Sequence, residues 1–362
     1  MKIGIVTYHR GYNYGALLQA IASRYVLEKK GLKTYYVDYW PEYHRQKYVF
    51  FSFRKMFSGG LVNGCRYFKR FLKSFRKRWE KVKKSELFIS EYITPYSKPV
   101  TEEYDAILYG SDQIWRKQSA LKDYNPVYFG KNSFKAKRHI AFSASMGILP
   151  NNSSDINKIK ELVSSFDAIS VREADLQQML LQLGLSDVCL TPDPTLLLKA
   201  SEWDEILKLK EKQDTDDYVL FYNLLSKSFN LDQIKEFASH HNLKLKILTG
   251  IGLKNERGGA EKITDSRDFV SLIKNASFVF TSSFHGLAFS ILYRKPVYAS
   301  FSKNQGRAES LLNSLNMSSC LLRPLSQIPK EYPSIDYNLA FRKLDDLKND
   351  MERFIANYII SV

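Results

Sequence analysis

The 362-residue chain has few of the features that mark secreted, membrane-spanning or metal-dependent proteins. Its three cysteines are far apart and have no CxxC spacing, so we expect a reduced interior without a disulfide framework. No run of about 18 apolar residues occurs, which argues against a membrane span. The N-terminus also lacks the apolar core and cleavage site of a secretory signal. These absences predict a cytoplasmic protein.

The sequence also lacks the common catalytic and cofactor motifs. None of its six histidines has a partner at i, i+4, the spacing of a helical metal site. Neither the GxSxG nucleophile motif nor the GxxxxGK[ST] phosphate loop is present. We therefore expect no metal and no bound cofactor.

Positive charge is abundant and unevenly distributed. The chain has 54 Lys and Arg against 38 Asp and Glu, a net charge of +16. Between residues 66 and 84, basic side chains alternate with Phe, Trp and Leu at the three- and four-residue steps of an amphipathic helix. Such a helix can bind an anionic membrane surface, or it can pack on its domain with a solvated basic face. Nucleic acid is not expected, because no recognition module accompanies the charge.

Apolar strands alternate with amphipathic helices along most of the chain, which predicts parallel sheets with helices on both faces. We expect a first Rossmann-like domain over 1–195, a second over 196–335 and a terminal helix over 336–362. A basic, mostly helical excursion at about 41–98 interrupts the first series. Two such domains share a cleft, and binding residues should follow the carboxyl ends of strands.

Two candidate binding loops lie in the first domain. In YHRGYNYGALLQ, backbone N–H groups near Asn13, Tyr14 and Gly15 can receive an anion or a sugar hydroxyl, although a tight turn capped by Asn13 explains the pattern equally. In GSDQIW, an aspartate can orient or deprotonate a sugar hydroxyl and an indole can stack on a pyranose, with a helix N-cap at the aspartate as the alternative. The candidates in this second loop are Ser111, Asp112, Gln113 and Trp115.

Two further loops carry cationic or titratable groups. Arg172 follows the strand AISV and suits a carboxylate or phosphate, or else an ion pair with Glu173 or Asp175. His285 lies in the first turn of a helix that Ser282 or Ser283 can cap. There an imidazole can bind an anion or transfer a proton.

Arg307 begins a later helix and is a second candidate anion ligand, with a solvated charge as the alternative. Ser145, at the small-residue end of the strand in AFSASMG, is a further candidate for substrate binding.

Several of these segments, in this order, are similar to the polysaccharide pyruvyl transferase family: GIVTYHRGYNYGALLQ, YDAILYGSDQIW, AFSASMG, SVRE, TPDPTLL and TSSFHGLAFSILYRKPV. The resemblance implies a GT-B-like fold, with an acceptor-side first domain, a donor-side second domain and a terminal helix that returns to the first. It implies transfer of a pyruvyl group from phosphoenolpyruvate to two sugar hydroxyls, forming a cyclic ketal and releasing phosphate.

In the family, residues at the positions of Arg172 and His285 contact phosphoenolpyruvate. Some members have R-L-H where this chain has Ser283, Phe284 and His285, so Arg307 or Arg294 would have to replace one donor-binding arginine.

The resulting hypothesis makes His285 the acid and phosphate ligand, Arg172 the anion clamp and Asp112 the acceptor-side base. The expected acceptor is a lipid-linked repeat unit of a capsule or exopolysaccharide, met at the inner face of the cytoplasmic membrane. A GT-B glycosyltransferase with a nucleotide-sugar donor, and a non-catalytic carbohydrate- or membrane-binding scaffold, are the alternatives.

Overall fold

The computed structural model describes residues 1–51, 56–57, 60–210, 217–224, 227–249, 265–303 and 305–361. Its strands are β1 (Lys2–Val6), β2 (Lys33–Val37), β3 (Ser97–Lys98), β4 (Glu103–Tyr109), β5 (Lys135–Ala144), β6 (Ala168–Val171), β7 (Val188–Leu190), β8 (Tyr218–Asn223), β9 (Lys244–Thr249), β10 (Phe278–Thr281) and β11 (Val297–Ala299). Its helices are α1 (Tyr14–Glu28), α2 (Glu42–Arg45), α3 (Gly60–Tyr92), α4 (Ser153–Val163), α5 (Ala174–Gln182), α6 (Ala200–Leu207), α7 (Leu231–His240), α8 (Ser266–Asn275), α9 (Phe284–Leu292), α10 (Gly306–Ser314) and α11 (Tyr337–Ile355).

The first sheet is parallel, with the order β3-β2-β1-β4-β5-β6-β7. Its inner strands are almost continuously apolar and buried, as expected for a sheet that helices cover on both faces. The order reverses between β1 and β4. Because both strands end at the same edge, the loops that follow them open a crevice there.

The second sheet is also parallel and has the order β11-β10-β8-β9. Every residue of β8 and β10 is buried. The predicted fold class, an α/β protein with two Rossmann-like parallel sheets in a GT-B-like arrangement, is confirmed.

Helix α1 joins the two halves. Its Tyr14 ring stacks on Phe269 of α8 at a centroid distance of 5.7 Å. One apolar cluster contains Leu18 and Ile21 of α1 together with Leu287 of α9, all fully buried. The loops after the strands of the first sheet are therefore held against those of the second.

The chain's last helix returns to the first half. Asp336 caps α11 by accepting a hydrogen bond from the Leu339 N–H at 3.0 Å. Farther along, Glu352 pairs with Lys30 at 3.2 Å, and the Tyr358 hydroxyl donates to the Asp187 carboxylate.

Helix α3 forms most of the described excursion between β2 and β3. Among the residues that the structure describes, no helix combines the length and apolar character needed to cross a bilayer.

Candidate active site

Side chains from three strand ends meet where the two sheets face each other. Asp112 follows β4, Arg172 directly follows β6, and His285 lies in the first turn of α9, just after β10. Arg172 and His285 both approach the same oxygen, Oδ2 of Asp193. The sequence-based candidates from separate domains thus belong to one buried cluster.

Asp193 organises this cluster. Its Oδ2 accepts a hydrogen bond from Arg172 Nη1 and lies 3.6 Å from His285 Nε2. Its Oδ1 accepts from Thr195 Oγ1 at 2.7 Å and from the Thr195 N–H at 2.9 Å, which fixes the carboxylate. Asp193 is not among the candidates predicted from the sequence. The available signal was an acidic residue between two prolines just after a strand.

Arg172 pairs with acidic residues distant in sequence rather than with its neighbours. It pairs with Asp193 and lies 3.7 Å from Asp112, so the ion pair considered with Glu173 or Asp175 is not the one that forms. Burial and then the nearby Arg307 lower the pKa of Arg172 to about 9. Its Nε and Nη2 are buried and make no hydrogen bond within the described ranges, so donors remain for a ligand.

Arg307 completes a pair of guanidinium groups. Its guanidinium carbon lies 5.2 Å from the centroid of the Phe284 ring, and that of Arg172 lies 5.0 Å from it, both within cation–π range. With its amide oxygen turned toward Arg307, Gln113 accepts from Nε at 3.1 Å and Nη2 at 2.7 Å. Arg294 instead packs over Phe341 of α11, so Arg307 is the cation at the cluster.

His285 is buried at the start of α9. The predicted N-cap is confirmed, because Ser283 Oγ accepts from the Gly286 N–H at 3.3 Å. Burial lowers the pKa of His285 to about 3, and the charge of Asp112 opposes this only in part. The imidazole is therefore neutral near pH 7, with a buried Nε2 that has no hydrogen bond in the described part of the chain.

The Asp112 carboxylate remains ionised in spite of its burial. Burial is the largest influence and raises its pKa, but the positive charges of Arg172 and Arg307 and the hydrogen bond from the Gln113 N–H favour the ionised form, and the pKa is lowered. Asp112 is not a helix N-cap, since a bend and a turn, not a helix, follow it, and its Oδ1 accepts from the Gln113 N–H at 2.7 Å.

Ser145 has a supporting position. Its buried hydroxyl donates to Glu173 Oε1 at 2.5 Å, and the same oxygen accepts from the Gly147 N–H at 3.2 Å. Burial raises the pKa of Glu173, which favours its neutral form. In this structure the Ser145 hydroxyl is enclosed and its proton is donated to Glu173, and its contact with substrate stays a prediction.

Two further candidates from the GSDQIW loop, Trp115 and Ser111, lie in the core. Trp115 is fully buried, its indole N–H donates to the Tyr128 carbonyl at 2.9 Å, and its ring stacks on Phe129. Ser111 is fully buried and donates to Gln19 Oε1 at 2.9 Å. Both side chains hold the loop to the core, and neither offers an exposed surface to a sugar in this structure.

Three further candidates, Asn13, Ser282 and Gly15, make contacts within the fold. Asn13 caps α1 by accepting from the Ala16 N–H at 3.3 Å, so the capping alternative is confirmed. Ser282 Oγ accepts from the Leu224 N–H at 2.7 Å. Gly15 contributes through its lack of a side chain, because the His285 ring packs against its backbone.

Replacing Gly15 with alanine should disable the site by steric displacement. The new Cβ would lie 2.1 Å from His285 Nδ1, so the ring must move or α1 and α9 must separate. We expect a loss of about 1–3 kcal/mol in the free energy of unfolding. Chemical denaturation measures this effect.

The double variant Gly15→Ala/His285→Ala is the control for that clash. It should recover most of the lost stability, because the three nearest atoms to the new Cβ all belong to His285. Equal destabilisation of the single and double variants would contradict the assigned contact.

The polysaccharide pyruvyl transferase family model matches residues 13–300. This range covers most of the 362 residues, and the chain belongs to that family of transferases. No curated protein matches the sequence significantly.

Solved structures with a similar course of the chain include nucleotide-sugar enzymes. A UDP-GlcNAc 2-epimerase from Methanocaldococcus jannaschii is 11% identical, with 96% of this chain and 93% of that chain covered and a TM-score of 0.47. The heptosyltransferase WaaC from E. coli, solved with ADP-2-deoxy-2-fluoro heptose, is 12% identical, with 96% and 99% covered and a TM-score of 0.36. At these values we infer nothing about chemistry from either similarity.

Proposed function

We propose that the protein transfers the pyruvyl group of phosphoenolpyruvate to two hydroxyls of a saccharide, forming a cyclic ketal and releasing phosphate. The observation that carries this proposal is the convergence of Arg172 and His285 on Asp193, with Arg307 across the Phe284 ring. Family membership gives the reaction class, and this cluster supplies groups of the right chemistry for its donor.

The donor has a phosphate and a carboxylate, so its site needs at least two groups of cationic side chains or N–H hydrogen-bond donors. Arg172 offers Nε and Nη2, and Arg307 offers a second guanidinium. The N-terminus of α9 adds the positive end of a helix dipole beside His285. We assign the phosphate to His285 and the N-terminus of α9. Arg172 and Arg307 bind the rest of the anion, including its carboxylate.

The chemistry requires a proton at the methylene carbon, C3, and attack by hydroxyl oxygens at C2. Binding of the anionic donor raises the pKa of His285, which takes up a proton and delivers it to C3. Asp112 accepts the proton of the first attacking hydroxyl. The bond from C2 to the phosphate oxygen then breaks, the second hydroxyl attacks C2, and its proton leaves with phosphate.

The acceptor is, on this proposal, a lipid-linked repeat unit of a surface polysaccharide, met at the inner face of the cytoplasmic membrane. The basic helix α3 supports this assignment, because its C-terminal half contacts the loop before α1. The Glu86 carboxylate of α3 accepts a hydrogen bond from the Tyr12 hydroxyl at 2.8 Å.

Ligand-induced thermal stabilisation tests the donor without knowledge of the acceptor. Phosphoenolpyruvate should raise the unfolding temperature, because a ligand at a hundred times its Kd adds about 2.7 kcal/mol to stability. UDP and GDP should have no effect, and inorganic phosphate a smaller one than phosphoenolpyruvate. Stabilisation by UDP or GDP alone would instead favour a glycosyltransferase.

A further inference from the structure

Helix α3 carries an exposed apolar stripe. Four of its large side chains, spaced three and four residues apart, retain between two fifths and three fifths of their accessible surface: Phe68 41%, Leu72 56%, Phe75 43% and Trp79 53%. Val62, one turn and a half before Phe68, is 73% exposed. Contiguous apolar surface on this scale marks an interaction site more often than an ordinary solvated face.

Aromatic contacts with the segment before α3 hold the side chains of the stripe in place. Phe50, from the segment before α3, contacts Phe71, Phe75 and Trp79 edge-on at 5.4, 5.4 and 6.0 Å between ring centroids. Phe71 is thereby buried, whereas Phe75 and Trp79 keep one side exposed. These contacts hold the aromatic rings in place with their outer surface available.

Charge identifies the partner. From 66 to 84 the sequence has ten Lys or Arg and one acidic residue, Glu80. That glutamate is paired with Arg76 at 3.3 Å. Exposed Lys69, Arg76 and Lys83, each about two turns from the next, follow one edge of the stripe along the same helix. An apolar stripe with cationic borders matches an anionic lipid surface, in which aromatic rings insert and cations meet headgroups.

The same helix reaches the candidate active site. Beyond the stripe, Lys81 Nζ lies 4.9 Å from the centre of the Tyr14 ring, and Glu86 accepts the Tyr12 hydroxyl. Tyr14 precedes Gly15, whose backbone contacts His285. A membrane bound at the stripe would therefore lie beside the loop that borders the cleft.

We propose that α3 docks the enzyme on an anionic membrane through the stripe Phe68, Leu72, Phe75 and Trp79 and its cationic borders, so that the cleft meets an acceptor held in the bilayer. The docking surface rests on the exposed side chains, and only its purpose rests on the proposed function. A second copy of the chain and a nucleic acid are the competing occupants, and the net charge of the helix disfavours the first because it would place like charges together.

Vesicle flotation tests the surface directly. The protein should float with phosphatidylcholine vesicles that contain phosphatidylglycerol and remain behind with phosphatidylcholine alone. The triple variant Lys69→Gln/Arg76→Gln/Lys83→Gln should bind about a hundredfold more weakly, at roughly fivefold for each cation lost. The variant Leu72→Ser/Trp79→Ser should also lose binding, because it lacks the inserting side chains.

A matched control removes the same charge from another exposed helix. The α11 variant Arg342→Gln/Lys343→Gln/Arg353→Gln should keep full vesicle binding, which separates a local surface from net charge. Circular dichroism and the phosphoenolpyruvate-induced thermal shift should be unchanged in every variant. If the α3 variants keep the phosphoenolpyruvate-induced thermal shift but no longer float with the vesicles, docking is supported. If phosphoenolpyruvate causes no thermal shift even in the wild type, the proposed function is contradicted instead.

Two outcomes overturn the docking proposal. One is flotation of the α3 variants equal to that of the wild type. The other is a concentration-dependent dimer, seen by analytical ultracentrifugation and abolished by Leu72→Ser/Trp79→Ser, in a protein that does not bind the anionic vesicles.

Discussion

Replacing Arg172 with lysine should lower kcat/KM for phosphoenolpyruvate by at least about a hundredfold, the usual scale for loss of one preorganised donor to a developing charge. Lysine keeps the positive charge but loses the planar fork that here spans Asp193, Asp112 and the donor side of the cleft. A coupled phosphate-release assay with a saccharide acceptor measures the loss. The phosphoenolpyruvate-induced thermal shift should decrease in parallel.

The same substitution at Arg353 is the matched control. Arg353 is exposed and pairs only with Asp350 three residues earlier among the described ion pairs, so Arg353→Lys should leave both measurements unchanged. Near-wild-type phosphate release from Arg172→Lys, with the thermal shift intact, would remove Arg172 from the donor site.

The convergence of Asp112, Arg172 and His285 could be predicted because topology alone brings strand ends together. Asp112 and Arg172 follow strands of the first sheet and His285 follows a strand of the second, and parallel strands deliver their following loops to one edge of each sheet. The capping roles of Asn13 and Ser283 were likewise local, since a side chain two or three residues from an N–H needs no tertiary information.

The direction in which loop side chains point was not predictable. Trp115 follows Asp112 by three residues, yet one turns into the core against Phe129 and the other faces Arg172. Ser145 was predicted to face the substrate, but its hydroxyl donates to Glu173, the residue after Arg172. Such choices depend on which partner a buried polar group finds, and those partners are distant in sequence.

Asp193 was missed for a related reason. Its role depends on contacts with Arg172 and His285, which are distant in sequence, and no local sequence pattern predicts them. The two prolines beside it indicated only that neither strand nor helix continued. The protonation state of His285 could not be predicted from the sequence either. An exposed histidine would titrate near pH 6.5, but burial lowers the pKa of His285 to about 3, so the ring is neutral.

Asp193→Ala should have the largest effect on stability of any single substitution at the site. It leaves the guanidinium of Arg172 buried with a more distant carboxylate, Asp112 at 3.7 Å, as its nearest described ion-pair partner. Breaking a buried pair in this way costs about 3–5 kcal/mol. It also frees the Thr195 hydroxyl and N–H that Asp193 Oδ1 now satisfies. Denaturant unfolding of the variant measures the cost, and phosphate release should be lost with it.

Comparison with an exposed pair separates the buried interaction from the generic loss of an aspartate. Asp350→Ala breaks the surface pair with Arg353 and should cost no more than about 1 kcal/mol. The double variant Asp193→Ala/Arg172→Met removes both buried charges and should be more stable than Asp193→Ala alone, because no unpaired guanidinium remains. If the double variant is instead less stable than Asp193→Ala, Arg172 contributes to the fold through contacts other than Asp193, and the carboxylate does not organise the site as described.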